Sequence, residues 1–275
     1  MGHIDRALDR AAQRAKKARQ DLPVAADVIE QSTERVELDA VHRTEVDLAE
    51  LKKNRLVTDD KAPSDAAYRM LRTRLLQRMR SNGWSTLAVT GMSPGEGKST
   101  TAINLSLSLA RDVNTSVVLV DLDLRKPSIH SYFGLSPKHD FHDVLAGRVP
   151  LNDALVRPDL DGADRLALLL NSNPYSNASE MITSPEMRRL VTNLKSGKGR
   201  IVVFDTPPLL LTDDVLAFSP LVSGLLLVAC QGVTKRDDLL AAKELLQGLN
   251  LVGTVLNRSS EEVSQYYYGY GYGSS

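Results

Sequence analysis

Along this chain, short apolar runs alternate with longer amphipathic stretches. The runs Ser85–Thr90, Ser116–Asp121, Leu166–Leu170, Arg200–Asp205, Gly224–Ala229 and Leu251–Leu256 read as strands. Several are continuous Leu-rich or β-branched runs rather than strict alternations, as expected of parallel strands covered on both faces. Between them, Ser99–Arg111, Glu186–Leu194 and Arg236–Leu249 read as helices. Strand–helix–strand repetition predicts an α/β fold, a doubly wound, mostly parallel sheet with right-handed crossovers. Ligands of such sheets bind beyond the carboxyl ends of the strands. The polar residues that close each strand are therefore the first place to look for chemistry.

The ends of the chain break this pattern and divide it into three parts. Residues 1–60 are rich in Ala and charged side chains, with Ile4, Leu8, Ala11, Ala12 and Ala15 at helical spacing among basic residues. This predicts a helical extension, either solvated or docked on a partner or anionic membrane surface. Pro23 interrupts it, and Thr58–Pro63 reads as a linker. Residues 61–258 form the predicted α/β domain. Residues 259–275 form a tail in which Tyr266, Tyr267, Tyr268, Tyr270 and Tyr272 alternate with glycines, five of the chain's eight tyrosines. Interleaved glycines predict a mobile segment with no fold of its own.

Composition narrows the classes. With 275 residues, 42% of them apolar and 25% charged, the chain can bury a sizeable core, which excludes a mostly disordered protein. Lys plus Arg equals Asp plus Glu at 34 each, so no net field favours nucleic acid, and no nucleic-acid partner is expected. Cys230 is the single cysteine and cannot form an internal disulfide, which fits a reducing compartment. No apolar stretch approaches the ~20 residues that cross a bilayer, and the first residues lack the apolar core of a signal peptide. The expected location is cytoplasmic.

The chemistry starts where the first strand ends. Gly91-Met92-Ser93-Pro94-Gly95-Glu96-Gly97-Lys98-Ser99-Thr100 joins a strand to a helix, the context a P-loop requires. Glycines let backbone N–H groups turn around phosphate oxygens, and the helix N-terminus favours negative charge. Lys98 is placed to reach the β- and γ-phosphates, and the Ser99 hydroxyl to ligate Mg²⁺. The first glycine stands one residue earlier than in the usual G-x-x-x-x-G-K-[ST] spacing. Two more strands end in carboxylates: Asp121-Leu122-Asp123-Leu124-Arg125, and Asp205-Thr206-Pro207-Pro208 with the form of a Walker B site. One carboxylate of the Asp121/Asp123 pair can hold magnesium while the other faces the reacting atom.

As a set, the Pro94–Ser99 loop, the Asp121-x-Asp123-x-Arg125 element, Asp205–Pro208 and the tyrosine-rich end resemble the bacterial tyrosine kinases, P-loop autokinases of capsule and exopolysaccharide export. The resemblance implies a MinD-like, deviant-Walker P-loop fold binding ATP and Mg²⁺. It implies that Ser93, Pro94, Gly95, Glu96, Gly97, Lys98, Ser99 and Thr100 cradle the phosphates and that Asn257 contacts adenine. Ser99, Asp121 and Asp205 would hold the metal. Asp123 would serve as base toward the incoming tyrosine, supported by Lys98, Asp121 and Arg125, with the five tail tyrosines as acceptors. Ala66–Thr73 resembles the family's E-x-x-R-x-x-R oligomerisation helix; Arg69 and Arg72 match, but Ala66 holds the glutamate position and Asp65 is its candidate substitute. The implied partners are further copies of the chain, in the ring assembly usual for the family, a transmembrane chain-length or activator protein that recruits the kinase to the inner membrane face, and a phosphotyrosine phosphatase. A positioning ATPase of the Min/Par kind is the alternative, although Ser93 occupies the place of its signature lysine.

Overall fold

The computed structural model describes residues 36–57 and 63–259. The predicted helix at 4–19, the linker at 58–62 and the tyrosine-rich segment lie outside the described residues.

One eight-stranded sheet organises the fold, in the order β1-β4-β5-β3-β6-β2-β7-β8. The predicted strands appear as β2 (Thr86–Gly91), β3 (Ser116–Asp121), β5 (Leu166–Leu169), β6 (Arg200–Asp205), β7 (Gly224–Cys230) and β8 (Leu251–Asn257), all mutually parallel where they pair. Every residue of β2, β6 and β7 is buried. That explains their continuous apolar sequences, since helices cover both faces.

Two strands escape the sequence pattern. β1 (Arg43–Thr44) pairs parallel with β4 (Leu155–Pro158), and β4 runs antiparallel to β5, Leu155 opposite Leu169. Only residues 159–165 join β4 to β5, too few for a helical crossover, so the strands must reverse direction.

On one face lie α1 (Leu48–Lys53), α2 (Pro63–Asn82) and α3 (Lys98–Ala110), packed on Leu87, Val89, Leu119 and Val203. Just beyond β3, α4 (Ile129–Tyr132) is a single turn. On the other face, α7 (Ala178–Thr183) and α8 (Pro185–Leu194) cover Val120 and Phe204 together with α5 (Phe141–Leu145) and α6 (Leu151–Ala154). The same face carries α9 (Asp214–Phe218) and α10 (Arg236–Leu245) over Leu225 and Leu227. α10 stops four residues short of the predicted Leu249, its cap at Leu246 donating back to Ala242 and Glu244.

Two expectations need correction. Residues 36–57 are no extension: Val36, Val41, Leu51 and Leu56 are buried against the sheet layers, so the fold begins well before residue 61. Their spacing is too short and irregular to register as an amphipathic pattern. Asp65, the substitute offered for the oligomerisation glutamate, is fully buried. Arg111 pairs with it at 2.7 Å and Arg69 at 2.9 Å. A buried carboxylate needs a paired cation, and Asp65 finds two in its own chain rather than standing on the surface as an acid offered to a neighbour. Arg72 also turns inward, donating to the Ser108 carbonyl at 2.9 Å near the end of α3, whereas Arg69 remains half exposed.

Arg111→Met would strip Asp65 of its closer cation while keeping the aliphatic stem. Loss of about 2–4 kcal/mol of unfolding free energy is expected in urea denaturation. A change within 0.5 kcal/mol, the usual range for surface positions, would contradict an anchoring role.

Candidate active site

β2 delivers the loop. Gly97 caps α3 in a left-handed conformation, φ +87°, and a side chain there would run into the Asn257 amide. Glycine is thus required both by the turn and by the close approach. Asn257, last residue of β8, donates to the Glu96 carbonyl at 2.9 Å and so buttresses the loop itself. The Glu96 side chain is buried. It accepts from the Ser93 amide at 3.0 Å and from the Thr234 hydroxyl at 2.6 Å. One carboxylate thereby pins the loop's shoulder to the end of β7, a role for Thr234 that its sequence context did not signal.

α3 starts at Lys98, and Ser99 in its first turn is buried beside Ser128, hydroxyl to hydroxyl 3.4 Å. β3 and β6 are neighbours in register, which sets Asp121 directly opposite Asp205 at the same sheet end, both without solvent exposure. Asp121 Oδ2 accepts from the amides of Ser128 and Ile129 at 2.8 and 2.9 Å, so the start of α4 fixes its orientation. Asp121 Oδ1 and both oxygens of Asp205 are buried without a hydrogen bond. Asp123 accepts from the Lys126 amide at 3.1 Å and from Lys98 Nζ at 2.9 Å, while Lys98 Nζ lies 3.8 Å from Asp205.

The electrostatics follow from burial. Desolvation, then the charge of Asp205, pushes the Asp121 carboxyl up to about 8, against the pull of its two amides and Lys98. Desolvation likewise raises Asp205 above the carboxylate range, with Lys98 pulling the other way. Burial works against the Lys98 ammonium, but Asp205, Asp123 and Asp121 together outweigh it and hold its pKa above the usual value. Three carboxylates around one ammonium, with three orphaned oxygens, form a site short of positive charge. Among the described residues no three carboxylate, imidazole or thiolate groups converge into a protein-only metal cage.

Arg125 departs from expectation. Its Nε donates to Asp214 at 2.9 Å and its Nη2 to Ser179 at 3.0 Å, and Ser179 also donates to Asp214 at 2.7 Å. The buried Asp214 carboxylate needs this cation, so Arg125 ties α7 to α9 instead of joining Lys98. Thr100, expected in the cradle, has its hydroxyl 3.2 Å from that of Tyr132. The loop, Lys98, Ser99, Asp121, Asp123, Asp205 and Asn257 do come together. Thr234 and Tyr132 join them without any sequence signal, because their contacts with Glu96 and Thr100 come from elements distant in the chain, whereas Ser128 follows the Asp121–Arg125 element by three residues.

Between pH ~4, where a free Asp ionises, and about 8, folded Asp121 keeps a proton that the unfolded chain has lost. The folded state then binds more protons, so nucleotide-free stability falls as pH rises through this window. Asp205→Asn would remove the like charge opposite. It is expected to raise nucleotide-free stability by about 1–3 kcal/mol near pH 8 and to flatten the pH dependence. Thermal denaturation from pH 6 to 9 checks this, and an unchanged slope with no gain would count against the charge-strain account.

Residues 87–268 match the family described as CobQ/CobB/MinD/ParA nucleotide binding domain. The chain is 31% identical over 218 residues to the tyrosine-protein kinase YwqD of Bacillus subtilis, covering 78% of this chain and 90% of that protein. It is 33% identical over 221 residues to the putative tyrosine-protein kinase EpsB of Ralstonia solanacearum, covering 80% of this chain but 28% of that longer protein. Among solved structures, the kinase domain of the Escherichia coli tyrosine kinase ETK superposes with a TM-score of 0.65 at 30% identity, over 77% of this chain and 84% of that one. The chimerical protein CapA2B2 gives 0.69 at 27%, over 79% and 93%. MinD of Pyrococcus horikoshii, at 21% identity and a TM-score of 0.52 over 64% of this chain and 72% of that one, shares the fold. With a P-loop, an Asp-x-Asp strand end and a Walker B aspartate around one lysine, on a sheet that these kinases share, the chain belongs to the bacterial tyrosine-protein kinases of the CobQ/CobB/MinD/ParA nucleotide-binding fold.

Proposed function

We propose that the protein transfers the γ-phosphoryl group of ATP to tyrosines of its own C-terminal segment, on neighbouring copies of the chain. The observation that carries this reading is the placement of Lys98 between Asp123 and Asp205, 2.9 and 3.8 Å away, at the mouth of the loop. Lys98 Nζ covers Asp123 Oδ2 and only partly offsets the charge of the carboxylates around it. The β- and γ-phosphate oxygens, more highly charged, draw it toward the loop and uncover Asp123 Oδ2. A phenol of pKa ~10 is protonated at neutral pH, so an uncovered carboxylate orients it and accepts its proton. The tyrosine oxygen attacks γ-phosphorus, the bond to the β,γ-bridging oxygen breaks, and ADP leaves with that electron pair. The Ser93–Thr100 backbone and the start of α3 hold the phosphates, and Asn257 flanks the cradle at the adenine end.

Mg²⁺ suits Ser99, Asp121 and Asp205, since it is typically held by one or two carboxylates with waters and substrate phosphates rather than by a full protein cage, and the orphaned oxygens of Asp121 and Asp205 are of that kind. When bound, it would neutralise charge developing on the transferred group. The tail reaches a neighbour's site at high effective concentration. Each phosphate adds about −1.5 to −2 charges, so multiple phosphorylation favours disassembly of the oligomer. Exposed Arg69 and Arg74 on α2 are the proposed subunit contacts. A role in capsule or exopolysaccharide export, under a membrane partner met by residues 4–19 and reset by a phosphatase, rests on the resemblance of the sequence motifs and on the basic N-terminal pattern. No helix among the described residues is long and apolar enough to cross a membrane.

Incubation with Mg-ATP followed by mass spectrometry is expected to find phosphotyrosine among Tyr266, Tyr267, Tyr268, Tyr270 and Tyr272 and none in Lys98→Met. Phosphate release without protein labelling would instead favour a Min/Par-type switch. Asp123→Asn should lower transfer at least about 10²-fold while leaving nucleotide affinity nearly unchanged; equal turnover would remove Asp123 from the chemistry. Size-exclusion light scattering should give a smaller assembly for the phosphorylated protein than after phosphatase treatment, and equal masses would refute charge-driven disassembly.

A further inference from the structure

The helix that begins at Lys98 is gripped along its flank by residues 47–57, and the polar part of that grip converges on one side chain. Asn104 of α3 is 2% exposed. Its Oδ1 accepts from the Val57 amide at 2.8 Å, and its Nδ2 donates to the Arg55 carbonyl at 3.1 Å. Arg55 itself is left-handed, φ +60°, an uncommon conformation for a residue with a side chain. It ends α1 in the turn usually given to glycine: Leu56 N–H bonds the Leu51 carbonyl and Arg55 N–H that of Lys52, both at 2.9 Å. The disfavoured turn persists because a single buried amide holds the backbone on both sides of Leu56.

A second route leads to the same helix. Asn54 Nδ2 donates to the Tyr132 carbonyl at 3.1 Å, and the Tyr132 hydroxyl is 3.2 Å from that of Thr100, two residues after Lys98. Thr100 and Asn104 are four apart and lie one above the other on α3. α4, which Tyr132 ends, starts with the Ile129 amide that orients Asp121. Leu51 and Leu56 pack in one apolar cluster with Ile103, Leu107 and Phe133. From α2, Tyr68 packs against the same apolar cluster. Thus α3 and the segment after α1 meet at one buried amide, less than two turns from Lys98 and Ser99.

The geometry points to Asn104 as a positioning residue for nucleotide binding: through it, docking of residues 47–57 sets the first turn of α3, and with it Lys98 and Ser99. The proposal rests on the P-loop reading above. Because coupling between two sites is reciprocal, nucleotide should in turn tighten the hold on this segment. A purely structural amide would lower stability on removal but leave the affinity of the folded protein unchanged.

The full chain and its Asn104→Ala variant are titrated with Mg-ADP by calorimetry well below their melting temperatures. Leu194→Ala, buried in α8 on the opposite face, serves as the stability control. Asn104→Ala is expected to weaken Kd about tenfold, while Leu194→Ala lowers the melting temperature and keeps wild-type Kd. In the wild-type chain, hydrogen exchange at the amides of Leu56 and Val57 should slow by a similar factor when Mg-ADP is added, a measurement that decides the matter should Asn104→Ala not fold. Wild-type affinity in Asn104→Ala, or exchange at Leu56 and Val57 that ignores nucleotide, would overturn the proposal. No binding of Mg-ADP by the wild-type chain would instead overturn the P-loop reading and this proposal with it.

Discussion

The structure turns on a deliberate shortage of positive charge. Two carboxylates, Asp121 and Asp205, stand opposite one another at the ends of adjacent parallel strands, fully buried, with three oxygens that lack a hydrogen bond and one ammonium 3.8 Å from Asp205. Burying unpaired carboxyl oxygens opposes folding, so such an arrangement persists only where the surroundings over-determine it. Here the register of β3 and β6 and the two amides from α4 leave Asp121 no alternative orientation. Under the proposed function, what relieves the shortage is a ligand that brings cations and draws Lys98 toward its own phosphates. On that reading, nucleotide affinity and the cost of burying these carboxylates share one origin.

Rigidity around the site follows from the same need. Eleven of the thirteen residues of α3 are buried, so the helix carrying Lys98 is fixed by the sheet on one side and by α1 and α2 on the other. Asp65, paired to Arg111, anchors α2 to the far end of α3, and Arg72 caps the same end. At the near end Asn257 and Glu96 hold the loop from both shoulders. Chemistry that works by positioning and charge neutralisation needs a preorganised site of this kind.

Much of this was legible beforehand. Continuous apolar runs located the long strands, since a strand buried on both faces must be apolar at every position, and the loop, the Asp-x-Asp pair and Asp205 stood at their carboxyl ends as the topology requires. Less was legible where a contact joins distant parts of the chain. Arg125 sits two residues after Asp123 and looked catalytic, yet Asp214, 89 positions away, claims it. Asp65 stands as the candidate substitute for the oligomerisation glutamate, yet Arg111, 46 positions away, claims it. β4 has four residues and β1 two, too few for a periodic pattern to register.

By itself, the sequence determined which residues could bind phosphate, hold a divalent cation or accept a proton, because those capacities reside in side-chain chemistry and in spacing along one strand or turn. It also determined the layered parallel architecture, because hydrophobic periodicity is a local property. Only the tertiary structure decided which charges are neutralised and which are left wanting, that Asn104 should clasp Arg55 and Val57, and that Arg125 should serve Asp214. Those outcomes depend on burial and on partners brought together by sheet order and register, and the strength of a charge or an amide in a protein is set by what surrounds it rather than by its place in the chain.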